Sequence, residues 1–93
     1  MTALSQEEIQ TALGQLDGWE AAETEISRQF TFDNFRQSVA FVVSAAFEAE
    51  AANHHPDLDV RYDKVHVTLS THSEGGVTAK DIDLARALDA LHR

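Results

Sequence analysis

The stretch Glu50-Ala51-Ala52-Asn53-His54-His55-Pro56-Asp57-Leu58-Asp59-Val60-Arg61-Tyr62 changes its period in the middle, and that change decides the fold. Upstream of Pro56 the apolar residues step by three and four; downstream Leu58, Val60 and Tyr62 alternate with Asp57, Asp59 and Arg61. Proline ends the helix and disfavours the α region for His55, so an extended segment begins there. Glu50 and His54 are four residues apart, and in a helix that reaches so far they lie on one face. His55, pushed into an extended conformation, leaves the backbone in a different direction. Two groups that titrate near neutral pH are thereby set at a helix end beside a carboxylate able to tune them.

Working upstream, Asp33 suits an N-cap, and Phe35, Val39, Val42, Val43, Ala46 and Phe47 supply an apolar helical stripe. Extended one turn, the stripe lands on Glu50, a carboxylate that needs a partner if buried; His54 is the nearest. The small residues Ala40, Ser44, Ala45 and Ala49 lie off this stripe and predict a face packed in a homodimer or homotetramer. Further upstream, Ser5-Gln6-Glu7-Glu8 reads as a capping box opening a helix to about Gln15, with Ile9, Leu13 and Leu16 at helical spacing. Asp17-Gly18 breaks it. Trp19 starts a short extended piece, and after a polar turn Ile26, Phe30 and Phe32 alternate with polar residues as the second arm of a hairpin. Arg28 occupies the inward parity of that arm, which suggests an edge, a bulge, or a stem lying on apolar surface with its head in water.

Downstream, a turn at Asp63-Lys64 leads to Val65, Val67 and Leu69 alternating with His66, Thr68 and Ser70; Thr71 then keeps the apolar parity and His72 the polar one. Gly75-Gly76 turns the chain, Thr78 caps a last helix with Asp81 in the box position, and Ile82, Ala85, Leu88 and Leu91 form its stripe. The whole chain, 1–93, reads as one α+β domain in the order α-β-β-α-β-β-α, with a four-stranded antiparallel sheet carrying three helices on one face.

Composition narrows the function. The chain has no cysteine, which removes disulfides and thiolate metal sites, and 7 basic against 16 acidic residues give a net charge of −9 that argues against phosphate backbones. No stretch reads as a signal peptide or a membrane span, so a cytoplasmic protein is expected. The candidate chemistry lies in His54, His55 and His72. A metal held by these and Glu50 is disfavoured, because the adjacent histidines diverge and the His-x-x-x-His spacing is absent. Nucleophile motifs and phosphate loops are missing as well. Proton transfer by imidazoles near neutral pH remains. His66 reads as a solvated strand residue, His92 as a helix-end cation, and Asp81 as a cap.

The spacing of Glu50, His54-His55-Pro56, Tyr62, His72 and Asp81 resembles the signature of the pterin-4a-carbinolamine dehydratases, and Gly18-Trp19, Phe30 to Phe35, Leu69 to His72 and Gly75 to Thr78 resemble recurrent segments of that family. The resemblance covers almost the whole chain. It implies the α+β fold already read, and dehydration of 4a-hydroxytetrahydropterin to quinonoid dihydropterin, which recycles the cofactor of aromatic amino-acid hydroxylases. It implies no cofactor or metal; the pterin is the substrate. Carried onto this sequence, the catalytic residues are His54, His55 and His72: His54 and His72 become the acid and base, His55 orients the pterin and shares in proton transfer, Glu50 holds and polarises His54, and Pro56, Thr71, Ser73 and Glu74 line the pterin edge. Asp81 is either a cap fixing the loop after His72 or a direct participant, the cap being favoured. Asn53 stands where some members have Asp; if that acid favours a protonated histidine, its absence moves the pH optimum down. The family also implies a competing role, since animal members are dimerisation cofactors for a homeodomain transcription factor and degenerate relatives are assembly chaperones. Retention of all three histidines favours the enzyme.

Overall fold

The computed structural model describes residues 2–92. Among them the chain runs α1 (Gln6–Leu13), β1 (Glu20–Ala21), β2 (Ile26–Thr31), α2 (Phe35–Ala52), β3 (Asp57–Arg61), β4 (Lys64–Leu69), a 3-10 turn (His72–Glu74) and α3 (Ala79–Leu91). The expected α-β-β-α-β-β-α order and the α+β class hold. Both hairpins form, and they join through their second strands: the sheet order is β1-β2-β4-β3, antiparallel throughout. Ile26 pairs with Leu69, Arg28 with Val67 and Phe30 with Val65, so the inward side chains of the two central strands share one face. Ile26, Phe30, Val65, Val67 and Leu69 are fully buried there, against Ile9, Ile82, Leu84, Ala85 and Leu88 from α1 and α3.

The ends of the elements follow their local chemistry. Ser5 accepts from the amide of Glu8 while Glu8 accepts from the amide of Ser5, closing the predicted capping box. Two predicted boundaries shift by one residue. The N-cap of α2 is Asn34, whose Oδ1 accepts from Gln37 N at 2.9 Å, in place of Asp33, because Asn34 is the residue whose backbone is still extended when the helix starts. The β3–β4 turn is Tyr62-Asp63, with Tyr62 at φ 54°, so Lys64 already belongs to β4.

The larger correction concerns α2. Phe35, Val39, Val43 and Phe47 were expected to face the core, but they are 53%, 40%, 51% and 72% exposed. Ser38, Phe41, Ala45 and Ala49 face inward instead. The helix lies so close to its neighbours that its inner face holds one aromatic ring and otherwise small residues, while its bulky side chains point out. Ala45 and Ala49 are therefore core residues, which removes them from the surface predicted to pack in an oligomer. For Arg28 the edge and the bulge are excluded, because β2 is an unbulged interior strand, and the head expected in water is instead mostly buried: the guanidinium lies 4.3 Å over Phe30 and pairs with Asp89 at 2.7 Å.

Candidate active site

The C-terminal end of α2 is closed by Asn53, in the left-handed conformation at φ 50°, ψ 45°, which asparagine tolerates better than most residues. Its amide donates back into the last turn, and His54 N donates to Ala49 O at 3.0 Å. This reversal carries His54 inward and leaves His55 outside. His54 is 9% exposed, whereas the side chain of His55 is 60% exposed.

The partner of His54 is Asp81 and not Glu50. His54 Nε2 meets Asp81 Oδ1 in a buried pair, and Asp81 is fully enclosed. Asp81 Oδ2 accepts from the hydroxyl of Thr71 at 2.8 Å and from the amide of Thr78 at 2.9 Å. The hydroxyls of Thr71 and Thr78 lie 2.8 Å apart, and Lys80 N donates to Thr78 Oγ1. An ionised carboxylate is acceptor only, so its Oδ1 takes the Nε2 hydrogen of His54 and fixes the tautomer with the lone pair on Nδ1. No hydrogen bond among the described residues uses His54 Nδ1, and no buried side-chain nitrogen or oxygen lacks a partner, so Nδ1 opens to the surface.

Glu50 has a different duty from the one expected. Since the stripe that leads to it is exposed, its side chain is 78% exposed and needs no buried partner; it meets His55 Nε2 at 3.0 Å. The other sequence-derived site residues divide by burial. His72, Ser73 and Glu74 form the exposed 3-10 turn, closed by Gly75 in the left-handed region at φ 74°. Pro56 is half-buried beside His55. Thr71 is buried, with its hydroxyl committed to Asp81 and Thr78, so it supports the site from behind and does not present a free polar edge. Through Asp81, the end of α2 is tied to Thr71 and so to the turn that starts at His72.

Asp81 is the expected cap and also the partner of His54. The capping-box pattern shows the first duty in the sequence; nothing local shows the second, because His54 lies 27 residues away and the contact depends on how α3 crosses the end of α2. Local patterning showed Thr78 as a cap and Thr71 as a strand residue, and the resemblance set Thr71 at the pterin edge; neither showed their hydroxyls gathered around Asp81. Asn53 holds the turn through its backbone and is exposed. No group of three or more His, Cys, Asp or Glu among the described residues is arranged to hold a metal ion.

Fold and site together define a class: a small α+β domain in which a carboxylate buried under a helix end orients one imidazole, with a second, exposed imidazole next to it in the chain. Comparison with known proteins narrows it. Residues 2–91 match the family model described as Pterin 4 alpha carbinolamine dehydratase, and the chain belongs to that family. A Roseiflexus sp. (strain RS-1) protein provisionally named pterin-4-alpha-carbinolamine dehydratase is 49% identical over 90 residues, 97% of each chain. One of the same provisional name from Nocardia farcinica is 50% identical, covering 97% of this chain and 95% of its own. The crystal structure of a transcriptional coactivator/pterin dehydratase from Brucella melitensis superimposes with a TM-score of 0.95 at 40% identity, over 99% of this chain and 100% of the other. A pterin dehydratase-like protein described as a RuBisCO assembly factor in the alpha-carboxysome shares the fold, with a TM-score of 0.67 at 21% identity, over 80% and 86% of the two chains.

Proposed function

We propose that the chain dehydrates 4a-hydroxytetrahydropterin to quinonoid dihydropterin and water by histidine acid–base catalysis. The observation that carries this is His54, whose Nε2 is held by the buried Asp81 while Nδ1 opens to the surface. In the elimination the C4a–O bond breaks, its electron pair leaves with the hydroxyl, and the N5 proton is lost as the new N5–C4a double bond forms. A base must take the N5 proton and an acid must protonate the departing hydroxyl. His54, with its lone pair on the accessible Nδ1, is the base. His72, on the exposed turn anchored by Thr71, is the acid, and His55 with Glu50 orients the pterin beside Pro56, Ser73 and Glu74. The balance closes with two proton transfers and no change of oxidation state, so the step as written calls for no metal or cofactor. Such a reaction would serve tetrahydropterin recycling for an aromatic amino-acid hydroxylase in the cytoplasm. No helix among the described residues is long and apolar enough to cross a membrane.

The test is the dehydration rate of freshly generated 4a-hydroxytetrahydropterin with wild type, His54→Ala and His72→Ala, compared at matched folding. Acceleration by the wild type that falls on the order of 10²- to 10⁴-fold in each variant is the expected result. A wild type no faster than buffer would overturn the reading and leave the protein-binding role as the alternative.

A further inference from the structure

Thr71 touches both halves of the candidate site: its side chain reaches the carboxylate behind His54, and its backbone closes the turn that carries His72. The hydroxyl lies 2.8 Å from Asp81 Oδ2 and 2.8 Å from Thr78 Oγ1, and all three residues are buried. The directions of these bonds follow from the number of hydrogens. An ionised carboxylate only accepts, so the single hydroxyl hydrogen of Thr71 goes to Asp81. Thr78 then donates to Thr71, while its own oxygen accepts from Lys80 N at 3.3 Å. The chain of donors runs one way, from Lys80 N through Thr78 and Thr71 to Asp81, whose other oxygen holds His54. A methyl group in place of either hydroxyl breaks it.

The backbone of Thr71 has a separate task. Its amide donates to Gly76 O at 2.9 Å, and its carbonyl accepts from Glu74 N at 2.9 Å and from Gly76 N at 3.4 Å. Thr71 and Gly76 thus form an isolated antiparallel bridge, the neck of a loop that carries His72, Ser73 and Glu74. Residues 72–75 are exposed, whereas Thr71 and Gly76 are buried. Among the described residues, the backbone hydrogen bonds that hold this loop all involve Thr71, except Gly75 N to His72 O inside it. Such a loop is placed by its neck. The side chain at that neck is Thr71's alone, since Gly76 has none, so whatever holds the Thr71 hydroxyl also steadies His72.

We infer that Thr71 is a positioning residue that couples the two imidazoles of the candidate site: its hydroxyl fixes Asp81 and so His54, and its backbone fixes the loop of His72. The part this plays in turnover rests on the dehydration proposed above; the coupling itself does not. Asp81 cannot serve alone, because its hydrogen-bonded route to the loop passes through the Thr71 hydroxyl. Thr71→Val isolates that hydroxyl. Valine keeps the branched shape and both backbone bonds and suits an extended segment, but it removes a donor to Asp81 and strands the hydroxyl hydrogen of Thr78. Thr71→Ser keeps the donor.

Amide hydrogen exchange at Glu74 and Gly76 of the full chain, referred to the Val67 amide in the central sheet, reads the coupling without turnover. Thr71→Val is expected to speed exchange at these two amides about tenfold or more relative to Val67, and Thr71→Ser to stay within about threefold of wild type. His54→Ala, which alters neither neck nor loop, should speed it too, but no further in the Thr71→Val background, where the link is already cut. In the dehydration assay Thr71→Val should lower kcat about tenfold or more, and Thr71→Ser should restore most of it. Wild-type exchange in Thr71→Val, equal effects of the two Thr71 variants, or additive effects of Thr71→Val and His54→Ala would overturn the coupling. If Thr71→Val does not fold, unchanged exchange in His54→Ala overturns it by itself. Faster exchange with a wild-type kcat would overturn the positioning role. A wild type no faster than buffer would instead overturn the dehydration, and the exchange measurements would still decide whether Thr71 couples the two elements.

Discussion

At Asp81 one carboxylate closes a helix and holds an imidazole, and the two duties use different oxygens: Oδ1 for His54, Oδ2 for Thr71 and the amide of Thr78. Asparagine offers an acceptor at only one of these positions, so Asp81→Asn turns an NH2 group toward donors on the other side. We expect a loss of about 1–3 kcal/mol in stability from the unsatisfied buried group. Asp81 acts on the proposed reaction through His54, so kcat should fall on the order of 10²-fold with KM little changed, and the limb of the pH–rate profile that reports the base should move. A folded variant with wild-type kcat and pH profile would reduce Asp81 to its capping duty. Asn53, at φ 50°, gives a second residue-scale test. Asn53→Ala forces a Cβ-bearing residue without a polar side chain into the left-handed region and should cost about 1 kcal/mol, whereas Asn53→Gly should be close to neutral. Equal denaturation midpoints for the two would show that the left-handed turn carries no such preference here.

At the scale of elements, α1 has a pH signature of its own. The Ser5 amide first, and then the Ser5 hydroxyl, hold the Glu8 carboxyl below its ordinary value of 4.5, with burial opposing them weakly. A depressed carboxylate contributes stability above its unfolded value and loses it as pH falls through the folded value, so the capping contribution should fade below about pH 4.5. Hydrogen exchange across α1 should show its protection falling in that window, and Glu8→Gln should flatten the dependence; an unchanged slope in Glu8→Gln would place the acid sensitivity elsewhere. Such caps are local and were legible in the sequence, as were the strand alternation and the antiparallel hairpins. The orientation of α2 was not. Phe35-Val39-Val43-Phe47 and Ser38-Phe41-Ala45-Ala49 both recur at helical spacing, and periodicity does not tell which stripe is covered. The bulkier set looked like core, but close approach of the helix to its neighbours selected the smaller one. The same error put Glu50 on a buried face and paired it with His54. Once α2 is turned, Glu50 belongs with His55, and His54 is free to meet a residue that only the tertiary fold brings near.

Across the whole molecule, one polar cluster near the C-terminal end of α3 ties distant parts of the chain together. Asp89 Oδ1 on α3 accepts from Trp19 Nε1 at 2.9 Å and from Arg28 on β2 at 2.7 Å, while Arg28 covers Phe30 and crowds Gly18, where a Cβ would stand 3.0 Å from its Nε. Trp19 is 7% exposed and packs edge-on to Phe30, so the cluster fastens the segment after α1 to the central strand and the last helix. In a chain of 93 residues, where the core is small, such a tie matters more than a typical surface ion pair. Asp89→Ala leaves an indole N–H and a guanidinium without their shared acceptor. With the Arg28 and Asp89 side chains 18% and 22% exposed, water replaces part of what is lost, and we expect about 1–2 kcal/mol of destabilisation. Asp89→Asn keeps an oxygen for one donor and removes the charge, so it should fall between wild type and Asp89→Ala. Urea denaturation with an unchanged m-value is the measurement. Two variants both within about 0.5 kcal/mol of wild type would show that apolar packing alone holds Trp19 and Arg28 in place.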